Sequence, residues 1–529
     1  MSSYYSQQGS LHFGDASYIR LAFALILLLA AAMRFANIGV LPLWLDEGYS
    51  WWDAQQSLAD LWTLVPQCDP HPPLYAMLLK LWVGAFGDST AALRSLSAVA
   101  GVISTAFVML AGREIGLRHA LIAGLIFATA PFQVQFSQEA RPYAMLALAS
   151  SMLCFAALRL LGQSRRGGQR TGWAWAALVV GGALMLWFNN TAGLLLAAFG
   201  IAALTMMATD RDARRAFLPL LGAALLIGLL WLPYMPTFVE QARGISSDFW
   251  IQRPGWWQFQ QELRWTLGVH SNAALGVILA VWTFGIVLLA RAGRGRAALL
   301  LGCLAALPVS LSFVVSHLAT PIFLARALIG IGPPFAVGLA CAFATLPWRR
   351  AMPIALALLV CYQLWLALPM QGATDRKEPW GRVVSQIAED VEAAGALTTE
   401  TMVLTVPNEM VLPLGHALKS AEVELPMRGI PGDYPQPGVT GARYPSGKCA
   451  PSVAGMDLAP AAHAIAGRKL AFLITRRNNS YDPNNAVLGY LRAQGWASVE
   501  THTFEPGAIT VYRLCLLYTS PSPRDGLLS

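Results

Sequence analysis

The sequence predicts a polytopic α-helical membrane protein of about eleven spans, with a small α/β domain after the last span. Three observations carry this prediction. Hydrophobic residues make up 56% of the 529-residue chain and charged residues only 12%, with a mean hydropathy of +0.49, whereas an ordinary soluble domain is roughly 25% charged. Apolar runs approaching the ~20 residues that a helix needs to cross a bilayer recur along the chain. Arginine clusters fall between these runs at every second junction.

Spans are expected near 20–40, 90–110, 118–135, 143–162, 173–188, 191–209, 216–234, 273–290, 297–316, 322–346 and 351–369. Residues 1–19 are polar and too long for the leading region of a cleaved signal, so the first run reads as a retained helix. The clusters are Arg113/Arg118, Arg165/Arg166/Arg170, Arg211/Arg214/Arg215, Arg291/Arg294/Arg296 and Arg349/Arg350. Cytoplasmic loops carry such an excess, which places the N-terminus in the cytoplasm and the C-terminal region outside. The clusters also account for most of the net charge of +8, so the basic balance implies no nucleic-acid partner.

Four outer loops follow from this topology: 41–89, 136–143, 235–272 and 316–321. In the first, "HPPLYAMLLKLWVGAF" is too short to span and is interrupted by Lys80, which fits an interfacial helix in contact with membrane lipids. The third interleaves Trp and Arg as a headgroup interface does. Beyond residue 370, helix-like stretches at 379–395 and 484–495 alternate with strand-like runs at 401–407, 469–475 and 508–514. A Pro/Gly-rich loop, 426–460, lies among them. Residues 371–514 therefore read as an extracytoplasmic α/β domain. The aperiodic tail 515–529 is set aside as non-native or disordered. The seven cysteines show no metal-binding spacing. Cys154, Cys303, Cys341 and Cys361 lie in apolar runs, while Cys68 and Cys449 fall on the outer side, where a disulfide between them is open.

The chemistry concentrates in these loops. "LWLDEGYSWW" sets Asp46 beside Glu47 at a membrane edge. Adjacent side chains diverge by about 100° on a helix, so the two acids take different jobs. Asp46 suits a general base and Glu47 a substrate or cation ligand; the competing reading has Asp46 capping a helix over 47–57. In "SQEARPYAM", Glu139 and Arg141 either join the same cavity or form a self-satisfied pair, with Tyr143 beside them. His71, near Asp69 and Cys68, is a substrate hydrogen-bonder, a ligand for a divalent metal, or a structural residue. Tyr75 is a further binding candidate, and Lys80 either snorkels or meets a lipid phosphate. Arg326, one to two helical turns into the tenth span, is costly there unless a phosphate or an internal carboxylate satisfies it. Arg94, at the outer start of the second span, is a second candidate for that job.

A lipid-linked sugar transporter or flippase would place such groups mid-helix rather than in outer loops. A non-catalytic envelope-assembly protein would have no reason to gather acids and arginines on one face.

Taken in order, "LWLDEGYS", "HPPLYAMLLKLW", "QEARPYAM", "PIFLARALIGIGPP" and "KEPWGRVVSQIAE" resemble the landmarks of the GT-C superfamily of membrane glycosyltransferases. More narrowly, they are similar to the bacterial branch related to protein O-mannosyltransferases and the lipid A aminoarabinose transferase. The resemblance implies a GT-C fold in a bacterial inner membrane and inverting transfer of a hexosyl or pentosyl group. The donor it implies is a polyprenyl-phosphate sugar, and the acceptor a protein, lipid or glycan on the outer face. It maps the catalytic acids onto Asp46, its neighbour Glu47, and Glu139. Its donor brings its own phosphate leaving group, which agrees with the lack of a Gly-rich nucleotide loop in the chain.

Overall fold

Residues 16–162, 171–245, 251–345, 351–371, 377–436, 449–476 and 480–516 are described by the computed structural model. The expectations for residues 1–15, 163–170, 346–350, 437–448 and 517–529, including the arginines at 165, 166, 170, 349 and 350, lie outside the described residues.

Apolar composition becomes a helical bundle because only a helix satisfies its own backbone in hydrocarbon. Among the described residues, nine helices are long and apolar enough to cross a bilayer, from Ser17–Phe35 to Ala351–Met370. A bent pair, Leu117–Thr129 and Pro131–Ser137, makes a tenth span, and Gly172–Phe188 is a shorter apolar helix of 17 residues. Together they occupy the eleven expected segments of a multi-pass membrane protein. Two of those segments differ from a plain span. The third bends by 60° at Ala130. The tenth begins as extended chain and a 3-10 helix, Ala325–Ile331, and turns α-helical only at Gly332.

The bend has a local cause and a buried remedy. Pro131 has no N–H for the Phe127 carbonyl four residues back, and the turn at Ala130 carries the next amides away. Arg34, fully buried on Ala16–Phe35, supplies the missing donors. Its Nη2 reaches the Phe127 carbonyl at 3.4 Å and its Nη1 the Ala128 carbonyl at 3.1 Å. Gly101 leaves the room, since a Cβ there would sit 2.5 Å from Arg34 Nε and 2.3 Å from Ser137 Oγ.

The C-terminal domain is a five-stranded sheet in the order β2-β1-β3-β5-β4. Its strands are β1 (Thr401–Val406), β2 (Met427–Gly429), β3 (Leu470–Arg476), β4 (Trp496–Phe504) and β5 (Ile509–Leu516). β1 runs parallel to β2 and β3, while β5 runs antiparallel to β3 and β4. Strand alternation divides the core between two faces. Val403, Phe472 and Ile474 pack on the helices Trp380–Ala393 and Val411–Ser420, and Leu404, Leu473 and Leu514 pack on Ala459–Ile465 and Ala486–Ala493. Burial on both faces explains why β1 and β3 read as continuous apolar runs. β4 carries "WASVETHTF", too polar to read as a strand, and becomes one as the edge partner of β5.

This domain is fastened to the bundle at the first loop. Leu45–Gln55 packs against Val411–Ser420, and Gly48 permits the approach, because a Cβ would lie 2.9 Å from Pro413 Cδ. A disulfide joins Cys68 to Cys449 across 381 residues of sequence. Lys419 Nζ donates to Asp88 Oδ2 at 2.6 Å.

Replacing Arg34 by Leu strands two carbonyls, each worth on the order of 1–3 kcal/mol when unsatisfied. The thermal unfolding midpoint of the purified protein in detergent should fall accordingly. An unchanged midpoint would mean the bend does not need the arginine.

Candidate active site

The Leu45–Gln55 helix presents the first two acids on different faces, as their adjacency requires. Its N-cap is Trp44, with no side-chain cap, so Asp46 sits inside the first turn and is not the capping residue. Glu47 points into the protein and is fully buried. Arg94 grips it through two parallel bonds, Nε to Oε1 and Nη2 to Oε2, both 2.7 Å. Lys377 Nζ donates to Oε2 at 2.9 Å and the Ala140 amide to Oε1 at 2.9 Å. Burial alone would raise the carboxyl, but Arg94 and Lys377 outweigh it and hold Glu47 at about 2. Glu47 has no free lone pair left for a substrate; its surroundings make it an anchor. Arg94 spends its remaining donors on the carbonyls of Ile38, Leu41 and Pro42 at 2.8–2.9 Å, fixing the turn that leads into the site.

Asp46 faces the other way and keeps partial access to solvent, 22% of its side chain. Arg326 Nη1 donates to its Oδ2 at 2.8 Å, with the guanidinium 5.8 Å from the Tyr143 ring centre. Arg326 therefore meets an internal carboxylate, from the 3-10 segment that opens the tenth span rather than from a turn or two inside an α-helix. The irregular backbone at that point lies beside the Asp46 carboxylate and is packed within protein, where membrane proteins tolerate it.

Glu139 and Arg141 do not pair with each other. The turn between Pro131–Ser137 and Tyr143–Leu161 sends Glu139 toward the acids, where its Oε2 is buried with no hydrogen-bond partner. Burial raises its carboxyl above the ordinary range; Lys377 opposes the rise, and the charges of Glu47 and Asp46 add to it. Arg141 instead donates to the Asp46 carbonyl at 3.1 Å and to Asp69 Oδ2 at 3.2 Å. His71 Nδ1 sits against Asp69 Oδ1, and Asp69 also accepts the His71 amide at 2.9 Å. Nδ1 also lies 3.1 Å from Arg141 Nη2, so the ring sits between Arg141 and Asp69. Cys68 is in a disulfide, which removes it from any metal set with Asp69 and His71.

Two candidates are drawn away from this cavity. Tyr75 is buried against Ser97 Oγ at 3.2 Å, and Ser97 in turn bonds the Arg141 carbonyl. Lys80 reaches the Ala54 carbonyl at 3.5 Å at the end of the Leu45–Gln55 helix.

Several participants come from the C-terminal domain. Lys377 neutralises Glu47, Glu378 accepts the Leu45 amide at 3.1 Å and pairs with Arg476, and Glu409 takes the Tyr49 hydroxyl. Tyr434 stacks edge-on against Trp52 at 5.2 Å. "KEPWG" carries the only local sequence signal for Lys377 and Glu378; for Glu409 there is none, because its partner is 360 residues away. Burial pushes Glu409 up to about 7, and the Tyr49 hydrogen bond offsets part of that rise.

Near this cluster, a small apolar groove is lined by Phe127, Phe132, Gln133, Leu339, Leu359 and Tyr362. Phe132 packs edge-on against Phe136, which packs edge-on against Tyr143 under Arg326. Two aromatic rings thus separate the groove wall from Arg326.

This architecture has known counterparts. Residues 70–235 match the family model described as dolichyl-phosphate-mannose-protein mannosyltransferase. No curated protein sequence matches the chain significantly. The apo crystal structure of ArnT from Cupriavidus metallidurans superposes with a TM-score of 0.58 at 14% identity, covering 94% of this chain and 98% of that one. Its form bound to undecaprenyl phosphate gives 0.55, with the same identity and coverage. The chain has the GT-C fold. With its helical bundle and its small C-terminal sheet domain, it follows the ArnT architecture almost end to end.

Removing one partner of a buried, hydrogen-bonded ion pair costs roughly 3–5 kcal/mol, so Arg94→Ala should lower thermal stability by that order. Because Glu47 lies below its ordinary 4.5, its contribution is complete above that pH and is lost as pH falls toward about 2. Glu409 has the opposite sign. Its raised value means the folded state holds an extra proton, so stability declines as pH rises from 4.5 to about 7. Glu409→Gln should flatten the pH dependence of the unfolding temperature across that window, and an unchanged slope would assign the effect to another group.

Proposed function

We propose that this protein is a glycosyltransferase that moves a sugar from a polyprenyl-phosphate donor to a hydroxyl or amine acceptor on the outer face of a bacterial inner membrane. The observation that carries the reading is the Asp46–Arg326 pair. It joins a partly exposed carboxylate to a guanidinium at one end of the bundle, two aromatic rings from an apolar groove. The GT-C fold supports the reaction class, and the groove has the chemistry a prenyl chain needs. The cysteine pair supports an oxidising, extracytoplasmic setting for the loops. The arginines at 113, 118, 211, 214, 215, 291, 294 and 296 lie at the opposite ends of the spans and support a cytoplasmic placement of that side.

The chemistry divides between two groups. The acceptor oxygen or nitrogen attacks the anomeric carbon from the side opposite the phosphate. As that bond forms, the bond from the anomeric carbon to the phosphate oxygen breaks, which inverts the centre. Asp46 takes the acceptor proton. Arg326 turns from Asp46 to the phosphate and takes up the charge of the departing polyprenyl phosphate through paired N–H donors. The exchange frees Asp46 at the moment a base is needed. Arg141, held by Asp69, fixes the Asp46 backbone, and His71 stands beside it as a substrate hydrogen-bonder. Glu139, its carboxyl raised by burial, lies among the same acids.

Purified protein incubated with a panel of polyprenyl-phosphate sugars should consume one of them and release polyprenyl phosphate. Asp46→Asn should cut turnover by about 10²–10⁴-fold, the usual contribution of a positioned base, with donor binding intact; retained turnover sinks the assignment. Arg326→Ala should weaken donor binding more than acceptor binding. Equal losses would leave Arg326 a purely structural partner of Asp46.

A further inference from the structure

We propose that Asp390, Glu500 and His502 form a binding site for a divalent cation of the zinc class in the C-terminal domain, a site that goes beyond the transfer reaction. Glu500 and His502 lie two residues apart on β4 and so share a face. A register shift between Ser498 and Glu500 sets Glu500 opposite Arg513 of β5, as a bulge re-aims a side chain. Asp390, in the last turn of Trp380–Ala393, comes down on the same point.

The orientation of the three groups argues for a ligand between them. Each carboxylate has one oxygen held from outside. Gln386 Nε2 donates to Asp390 Oδ1 at 3.1 Å, and Arg513 Nη1 donates to Glu500 Oε2 at 3.0 Å and lies 3.9 Å from Asp390 Oδ1. Such outer hydrogen bonds are how metal-binding carboxylates are oriented. The inner atoms are left over. Asp390 is 5% exposed, yet its Oδ2 has no hydrogen-bond partner, and neither does His502 Nε2. Nε2 lies 3.2 Å from Glu500 Oε1 and 4.0 Å from Asp390 Oδ2, and one ligand atom from each residue falls within 4.8 Å of the other two. Tetrahedral bonds of about 2.0–2.1 Å put zinc ligands roughly 3.3 Å apart, and one nitrogen with two carboxylate oxygens is a donor set that zinc accepts. Burying an oxygen with no donor is costly, and a cation at the centre satisfies all three inward atoms at once. Water would complete the fourth position.

The site would pin the end of a helix whose other end follows Lys377 and Glu378, the two residues that reach Glu47 and Leu45. The rival arrangement is a protonated His502 shared by the two acids with no metal.

Full-length protein in detergent, stripped with chelator and dialysed against Zn(II), should retain a fixed metal content per chain by elemental analysis. His502→Ala and Asp390→Ala should each hold one zinc fewer. His502→Cys, which keeps a zinc ligand, should restore it, and Asp46→Asn should hold the wild-type amount. Far-UV circular dichroism identical to wild type shows that the loss is not unfolding. Wild-type zinc content in His502→Ala, or no zinc in the wild-type protein, overturns the proposal in favour of the protonated histidine. Because the readout is metal content, its failure is separate from a failure of the transferase reading.

Discussion

The buried carboxylate of Glu47 is the point around which the site is assembled. A charge with no exposure to water must be repaid by partners of opposite sign and by hydrogen bonds to both oxygens, and Glu47 collects them from three other parts of the chain. Its own helix supplies the acid, the second span supplies Arg94, the turn after the bent span supplies the Ala140 amide, and the segment leading into the C-terminal domain supplies Lys377. Because none of these can leave without stranding a buried charge, the position of each is tied to the others. Asp46 inherits that rigidity. It is the preceding residue on the helix, aimed the other way, and its placement toward Arg326 follows from where Glu47 is locked.

A second consequence concerns division of labour among like residues. Three arginines converge on this end of the bundle, each with a different degree of commitment. Arg94 is consumed by Glu47 and three backbone carbonyls. Arg141 is divided between Asp69 and the Asp46 backbone. Arg326 shares a partly exposed carboxylate and rests over an aromatic face. The same gradient orders the acids, from the locked Glu47, through Glu139 with one oxygen unpartnered, to the accessible Asp46. In a low-dielectric setting small differences in partnering separate groups of one chemical type into locked and accessible ones.

The C-terminal domain is part of the site rather than an appendage to it. Glu378, Glu409 and Tyr434 reach the Leu45–Gln55 helix from the domain side, and the Cys68–Cys449 disulfide keeps the first loop from drifting away. Gly48 in the "LDEGYS" stretch matters for the same reason, since only a residue without a side chain lets Pro413 approach.

Sequence by itself determined the bundle, because apolar length and arginine alternation are local properties that a bilayer reads directly. It also determined β1, β3 and β5, whose apolar runs survive any context, and it pointed to Asp46, Glu139, Arg141 and Arg326 as charges too costly to be idle near a membrane. Tertiary structure alone decided what each charge does. Glu47 and Asp46 are indistinguishable as neighbours in a string, and their separation into a locked and an accessible carboxylate depends on Arg94 and Lys377, 47 and 330 residues from Glu47. Tyr75 and Lys80 read as binding groups until packing turned them toward Ser97 and Ala54. Edge strand β4, the donors that Arg34 lends to a broken helix, and the partner of Glu409 were invisible for one physical reason. Pairing across hundreds of residues leaves no periodic trace in the chain, whereas burial of one face does.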